Sequence, residues 1–387
     1  MESPDTQAVR KILAVEPRLQ RLELASRAIG LGSSELIHAG PPITDPAEVC
    51  RPILHSAITA ALFEGWARSV EEAKELLRSG EIRFRAAQDL NCVVPLADVA
   101  SPSMWLQGVE DGQSVVWSPI NGGMANVLRV GVLGDDVLAH LRWLNGPFAE
   151  AFPQALTAPV GVLDLADEGL AGGDDCHGRT AVATAALLAT IGDRVAGDGG
   201  RALREFLQRS PSFFLNIWMA ASKLMLDAAR GIDASTVITG AGGNGSEFGI
   251  QLAAKPGEWF IVPATPPTVA PGSLGSAQPL GAIGDSAVVD MLGLGAMTSL
   301  QHGATPQLPA FVERGDGLSA LLYERHPAMS RTHPLMVTSA RRVLDSGRMP
   351  IISLGVLDKD GLLGRLTGGY YRPPTEIFRR AVDAAVA

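Results

Sequence analysis

The side chains best suited to chemistry are concentrated in one ten-residue stretch, Ala171-Gly-Gly-Asp-Asp-Cys-His-Gly-Arg-Thr180. A helix is predicted directly after it, over Ala181–Ile191, because that run is rich in alanine and leucine and contains neither glycine nor proline. The stretch is therefore predicted to form a turn at a helix N-terminus, where unpaired backbone N–H groups and the helix dipole favour an anion. Arg179 adds a planar guanidinium that suits a carboxylate or phosphate group.

Three adjacent residues of this turn are candidate catalytic groups, namely Asp175, Cys176 and His177. The positive field at the helix N-terminus is expected to lower the pKa of Cys176, which favours the reactive thiolate. His177 can transfer a proton near neutral pH. An alternative interpretation stays open, in which an aspartate of the turn only caps the helix and Cys176 faces the core.

Another candidate ligand contact lies in a helix predicted over residues 213–229. Asn216 and Lys223 are seven positions apart, hence on one face of that helix. Because most of the segment is apolar, a buried Asn216 must find hydrogen-bond partners. Those partners belong either to a neighbouring helix or to a bound substrate, so Asn216 is a candidate substrate-binding residue.

The glycine-rich stretch Gly240–Gly249 contains the letters G-x-G-x-x-G. A dinucleotide site is excluded, because that fingerprint requires a helix directly after the glycines and here there is room only for a strand. We expect a hairpin-like loop whose glycines let backbone N–H groups approach a ligand, in the same cleft as the reactive turn. Its polar members Asn244, Ser246 and Glu247 are candidate substrate-binding residues, and a glycine turn without a ligand is the alternative.

Composition narrows the class of protein. The chain has 387 residues, 46% of them hydrophobic, and a formal net charge of −9. These values predict a folded protein of two or three domains and argue against nucleic acid or an anionic membrane as the main partner. The three cysteines lack zinc-ligand spacing and favour a reducing compartment, so we expect a cytoplasmic protein with no metal site. Neither a signal peptide nor a transmembrane run is predicted.

The distribution of predicted helices and strands indicates an α+β fold. Short strands alternate with helices up to Gly134 and again after Gly231, whereas nearly every segment between them is helical in pattern. We therefore expect two mixed α/β domains, 1–134 and 232–387, with a central mainly helical subdomain over 135–231. Residues 6–28 are expected to form one or two amphipathic helices.

Seven motifs, taken together and in this order, resemble the YlbE-like family of bacterial proteins. They are His38-Ala-Gly-Pro-Pro42, Glu64-Gly-Trp66, Ser101-Pro-Ser-Met104, Gly173-Asp-Asp-Cys-His-Gly-Arg179, Phe213-Phe-Leu-Asn216, Asn244-Gly-Ser-Glu-Phe-Gly249 and Gly284-Asp-Ser286. The resemblance implies an α+β fold, a partner of the FdrA type and a role in oxamate carbamoyl transfer. Where family members carry a histidine-containing run, this chain has Gln88-Asp-Leu-Asn-Cys-Val-Val-Pro95.

Carbamoyl transfer from carbamoyl phosphate requires a cationic pocket and donors aimed at the developing oxyanion, and it requires no cofactor. Arg179 would bind the anion, Asn216 and Asn244 would polarise the carbonyl, and His177 would move the proton. We expect a small anionic substrate and a homo-oligomer. A non-catalytic assembly subunit is the alternative, and an amidohydrolase with a Cys176 nucleophile is disfavoured because neighbouring residues rarely present both side chains to one reacting atom.

Overall fold

The computed structural model describes residues 2–124, 127–300 and 318–386, and it has an α+β fold. The first part of the chain alternates helices with short strands. Its elements are α1 (Pro4–Leu13), β1 (Arg18–Leu24), α2 (Ala25–Ala28), β2 (Glu35–His38), α3 (Arg51–Glu64), α4 (Val70–Arg78), β3 (Arg83–Ala86), β4 (Val99–Ala100), β5 (Trp105–Glu110) and β6 (Val115–Pro119).

The helical expectation for residues 6–28 is wrong over Arg18–Leu24, while Ala25–Ala28 is helical as expected. Helix α1 begins with a Ser3 cap, whose hydroxyl accepts from the backbone N–H of Thr6, and it ends at Leu13. Pro17 cannot continue a helix because it has no backbone N–H. The residues after it form β1, which pairs antiparallel with β5 and buries Leu19 against Val109. Long-range strand pairing therefore outweighs the local helical pattern here.

The middle of the chain is made almost wholly of helices. Its elements are α5 (Asp135–Trp143), α6 (Ala149–Ala155), β7 (Val160–Gly161), α7 (Val162–Ala171), α8 (Ala181–Ile191), α9 (Gly197–Gln208) and α10 (Phe213–Asp227). Helix α10 is buried around its whole circumference, including Phe213, Trp218 and the aliphatic stem of Lys223. Such a helix belongs in the centre of a protein, where each large apolar side chain contributes roughly 1.5–3 kcal/mol.

The last part returns to strands. Its elements are β8 (Ile238–Asn244), β9 (Glu247–Leu252), β10 (Lys255–Pro263), β11 (Ile283–Gly284), α11 (Ala287–Leu292), β12 (Leu322–Arg325), β13 (Leu335–Thr338), α12 (Ala340–Ser346), β14 (Ile352–Leu357), β15 (Arg365–Tyr371) and α13 (Thr375–Val386). Most of the glycine-rich stretch Gly240–Gly249 itself lies in β8 and β9, so the expected loop is confined to the tight turn between them, and no helix follows the glycines.

Within the residues that the structure describes, the strands form three sheets and two ribbons. The sheets have the orders β6-β5-β1-β7, β10-β9-β8-β11 and β3-β2-β4, and the ribbons are β12-β13 and β14-β15. Helices α6 to α10 of the middle part share one hydrophobic core with α1, β1, β5, β6, α11 and β13, whereas α5 packs into the core of the first part. The division into three domains stays a prediction. The core of α6 to α10 just described extends across both expected domain boundaries. Within the described ranges, no helix combines the length and apolar character needed to cross a membrane.

Candidate functional site

A cavity of about 590 Å³ lies where the three parts of the chain meet. The first part contributes Pro95, Leu96 and the segment around Arg129, and the middle part contributes the reactive turn. The last part contributes Ser286 and the ribbon β14-β15. The volume is in the range of small-molecule sites, which are typically about 300–1,000 Å³.

The reactive turn is held by its own two aspartates. The Asp174 carboxylate accepts the backbone N–H of Ala183 at 2.9 Å and so caps α8. One oxygen of Asp175 accepts the N–H groups of His177 and Arg179, both at 2.8 Å. Burial raises the pKa of Asp174, while the N–H groups of α8 oppose that effect. The expected anion site at the helix N-terminus is therefore already occupied by a carboxylate of the protein.

Cys176 does not behave as the sequence suggested. Its backbone is in the left-handed region (φ 63°), and its buried thiol points to the carbonyl of Ala166 at 3.7 Å. Burial, and after it the charges of Asp175, Asp174 and Asp167, raises the pKa of the thiol well above its ordinary value. The expectation of a lowered pKa is wrong, because loss of hydration outweighs the helix dipole at this position.

His177 reaches the cavity and is oriented by a residue far along the chain. Its Nδ1 lies 2.5 Å from Oδ2 of Asp290, which is fully buried in α11. The other oxygen of Asp290 accepts the backbone N–H of Ala296 at 2.8 Å and that of Ser353 at 3.2 Å. Burial raises the pKa of Asp290, and His177 opposes this. This arrangement fixes the ring and leaves its Nε2 edge for a ligand, as in a base held by a carboxylate.

Three arginines line the cavity. Nη2 of Arg179 is 3.1 Å from Oδ2 of Asp175, in ion-pair contact but off the angle of a hydrogen bond, and its Nε donates to the Gly173 carbonyl at 3.3 Å. Arg129 donates to Asn121 Oδ1 at 3.1 Å and to the Gly123 carbonyl. Arg365, in β15, donates to the Thr367 carbonyl at 3.4 Å. The cavity thus presents three guanidinium groups, a side-chain type that suits carboxylate or phosphate.

Asn216 lies behind this site and contributes to it indirectly. Its amide donates to the Pro119 carbonyl at 2.9 Å, and its oxygen accepts from Asn121 at 2.9 Å. Since Asn121 in turn holds Arg129, Asn216 anchors an arginine of the cavity. Its fully buried side chain joins α10 to the end of β6, and its direct contact with substrate stays a prediction.

The other candidates of the glycine-rich stretch lie outside this cavity. Asn244 accepts the backbone N–H groups of Ser246 at 3.1 Å and Glu247 at 2.8 Å, and it donates to the Pro41 carbonyl at 3.1 Å. These bonds close the turn between β8 and β9 and dock it on the first part of the chain. The expected common cleft with the reactive turn is not found at this cavity, and a substrate role for the three residues stays a prediction.

Sequence reasoning missed Arg129, Asp290 and Arg365. Asp290 is the one residue with a signal that could have been used, because a carboxylate inside the apolar run Ala287–Leu292 needs a buried partner. No set of three or more His, Cys, Asp or Glu side chains placed for metal binding occurs in the described part of the chain.

Comparison with known proteins identifies the family. The sequence model of the family described as oxamate carbamoyltransferase subunit AllG matches residues 82–286, a range that includes Arg129 and the reactive turn. The uncharacterized protein YahG of Escherichia coli K12 is 31% identical over 97% of this chain and 84% of its own length. The oxamate carbamoyltransferase subunit AllG of the same organism is 29% identical, over 90% of this chain and 88% of its own.

A solved structure shares the fold. The crystal structure of a conserved protein of unknown function from Enterococcus faecalis V583 has a TM-score of 0.89 and 24% identity, and the match covers 99% of this chain and 97% of that one. Because the AllG family model matches more than half of the chain and nearly a third of the residues are identical to YahG, this chain belongs to the family of oxamate carbamoyltransferase subunit AllG.

Proposed function

We propose that the chain is a carbamoyltransferase subunit, in which a small acceptor of the oxamate type receives a carbamoyl group from carbamoyl phosphate inside the arginine-lined cavity. The observation that carries the proposal is the convergence on one cavity of three guanidinium groups and of a histidine held by a buried carboxylate. Family membership supports the reaction class, since one relative is described as an oxamate carbamoyltransferase subunit.

The chemistry assigns a role to each group. The acceptor amide nitrogen attacks the carbamoyl carbon, so a C–N bond forms while the C–O bond to phosphorus-bound oxygen breaks and phosphate leaves with that electron pair. The proton of the attacking nitrogen passes to Nε2 of His177, and Asp290 stabilises the imidazolium that forms. The guanidinium groups hold the anionic ends of both reactants and stabilise negative charge in the transition state.

A second candidate function has one specific observation in its favour. Leu362 and Leu363, shortly before Arg365 in the chain, are 72% and 65% exposed, and Met124 at the cavity is 60% exposed. Exposed apolar side chains beside a site suit coverage by a protein partner. In this alternative the chain is an assembly subunit of an FdrA-type complex, and the partner carries the catalytic groups.

The deciding experiment measures carbamoyl transfer from carbamoyl phosphate to oxamate, by the purified chain alone and with an FdrA-type partner. His177→Asn is expected to reduce kcat by roughly 10²- to 10⁴-fold, which is the usual contribution of a general base. His333→Asn is the matched control, because His333 is exposed and lies away from the cavity. A complex that keeps the parental rate with His177→Asn would overturn the catalytic proposal and favour the assembly subunit.

A further inference from the structure

The positive charges of the cavity are not equivalent. Arg179 is in ion-pair contact with Asp175. Arg129 and Arg365, by contrast, have no carboxylate within 4.0 Å of their guanidinium nitrogens among the residues that the structure describes. Among the described residues their hydrogen bonds go to neutral acceptors, namely the Asn121 amide oxygen, the Ser212 hydroxyl and the carbonyls of Gly123 and Thr367. These two arginines therefore keep their charge available to a ligand.

The two arginines also act on each other. Burial lowers the pKa of Arg129 to about 10; the charge of Asp98 opposes this effect and that of Arg365 adds to it. Burial also raises the pKa of Asp98 to about 7, and its carboxylate acts on Arg129 from beyond the 4.0 Å of an ion pair, so it offsets the two cations only in part. Two neighbouring cations of this kind favour a ligand that carries two negative charges, because a monoanion would leave one of them unpaired.

The cavity wall beside Arg365 is formed partly by glycine backbone. Gly355 of β14 pairs with Gly368 of β15, and both line the cavity. A Cβ on Gly355 would lie 3.1 Å from the Leu96 side chain and 3.4 Å from Nε of Arg365, and one on Gly368 would lie 3.8 Å from Nη2 of Arg365. Glycine at both positions keeps the approach to the guanidinium open, which permits a group as broad as a phosphate to contact it.

The Arg365 end of the cavity lies within the length of one small ligand from His177. Ser353 and Gly355 are two residues apart on β14, hence about 7 Å apart on the same face. The Ser353 hydroxyl lies 3.2 Å from the position that a Cβ on Gly178 would take, next to His177 in the turn. A ligand of a few atoms can thus reach from the arginines to the histidine.

We propose that Arg129 and Arg365 form a subsite for a phosphate-type dianion, with Gly355 and Gly368 as its floor, while the Asp175-paired Arg179 belongs to the His177 end. In the proposed function, on which the naming of phosphate rests, this subsite takes the phosphate group that leaves the carbamoyl donor. Planar guanidinium forks bind phosphate oxygens two at a time, and two such cations can together engage both negative charges of a phosphate dianion, which a single carboxylate does not carry.

The test is isothermal titration of the full chain with inorganic phosphate at pH 8, where phosphate is a dianion, and with acetate as the monoanion probe. Arg365→Gln is expected to weaken phosphate binding by roughly ten- to a hundredfold, because it removes charge-assisted hydrogen bonds. Acetate, held weakly by the parent, should change less. Arg341→Gln is the matched control, since Arg341 is exposed on α12 and does not line the cavity.

Arg129→Lys is the second variant, and it is expected to weaken phosphate binding roughly tenfold, since lysine keeps the charge but not the fork. Because Arg129 also holds Asn121 and Gly123, circular dichroism must show that this variant is folded. Parental phosphate affinity in Arg365→Gln, or no phosphate binding by the parent, would overturn the subsite. If phosphate binding depends on Arg365 but the parent chain shows no carbamoyl transfer, the proposed function alone is overturned and the subsite stands.

Discussion

Replacing Asp290 by asparagine tests how the cavity controls His177. The carboxylate now receives three hydrogen bonds, from His177 Nδ1 at 2.5 Å and from the backbone N–H groups of Ala296 and Ser353 at 2.8 and 3.2 Å. In Asp290→Asn the side-chain amide keeps one oxygen, which can still accept from the two backbone donors. Its nitrogen, however, donates toward Nδ1, so the proton of the ring moves to Nε2 and the base is blocked at the cavity side.

The structure sets the size of this effect. The loss of one charge-assisted hydrogen bond costs about 1.5–3 kcal/mol, but the substitution also removes a buried charge whose pKa is raised by burial. These two changes oppose each other, so we expect the free energy of unfolding to change by no more than about 2 kcal/mol. Transfer is expected to fall by roughly 10²- to 10⁴-fold, equivalent to about 3–5.5 kcal/mol in the activation barrier.

The assay is carbamoyl transfer at varied acceptor concentration, together with the nitrogen chemical shifts of the His177 ring. A positioning residue should lower kcat with little change in KM, and the shifts should report the change of tautomer. Asp345→Asn is the control, because Asp345 is exposed on α12. Combined with His177→Asn, the substitution should cause no further loss, since the two residues act as one unit. A parental kcat in Asp290→Asn would refute this reasoning.

Three further substitutions test the remaining assignments. Arg179→Lys is expected to lower the free energy of unfolding by less than about 1 kcal/mol in urea titrations, because the Arg179 side chain of the ion pair with Asp175 is 37% exposed. A larger loss of stability would contradict the description of this ion pair as partly solvated. Cys176→Ser is expected to keep kcat within about twofold, because the thiol faces the core. A near-complete loss of kcat would instead support Cys176 as a catalytic nucleophile. Asp98→Asn should reduce the pH dependence of stability: the folded pKa is raised from 3.8 to about 7, so stability is lost as pH rises between these values. Urea midpoints from pH 5 to 8 should fall less in the variant than in the parent, and parallel curves would contradict the shift.

The sequence was informative where the determinants are local. An alanine-rich run without glycine or proline predicted α8, and the run of strands, helices and strands predicted the α+β class. The family motifs led to the right family. The pairing of His177 with Asp290 could not be found in this way, because 113 positions separate them and no local pattern links one to the other. The same holds for Arg129 and Arg365, which are brought together only by the packing of the first and last parts of the chain.

The error over Cys176 has a different cause. A helix N-terminus lowers a thiol pKa only if the thiol stays hydrated or faces the free N–H groups, and neither condition can be read from neighbouring residues. Here Asp174 takes the N–H of Ala183, and Cys176 turns into the core. A dense polar turn therefore predicts an ordered segment better than it predicts which of its side chains is reactive.

The reactive turn is thus better understood as the support that positions His177 than as the anion site. Its two aspartates satisfy the helix end and Arg179, so the charges left for a ligand come from Arg129 and Arg365, in the first and last parts of the chain. Their approach depends on the docking of those parts, which the buried Asp285 secures by accepting the backbone N–H groups of Gly40 and Val94, both at 2.9 Å. Because no single part of the chain supplies Arg129, Arg365 and His177 together, the cavity exists only in the complete fold, and the catalysis proposed for His177 would depend on contacts made far from it.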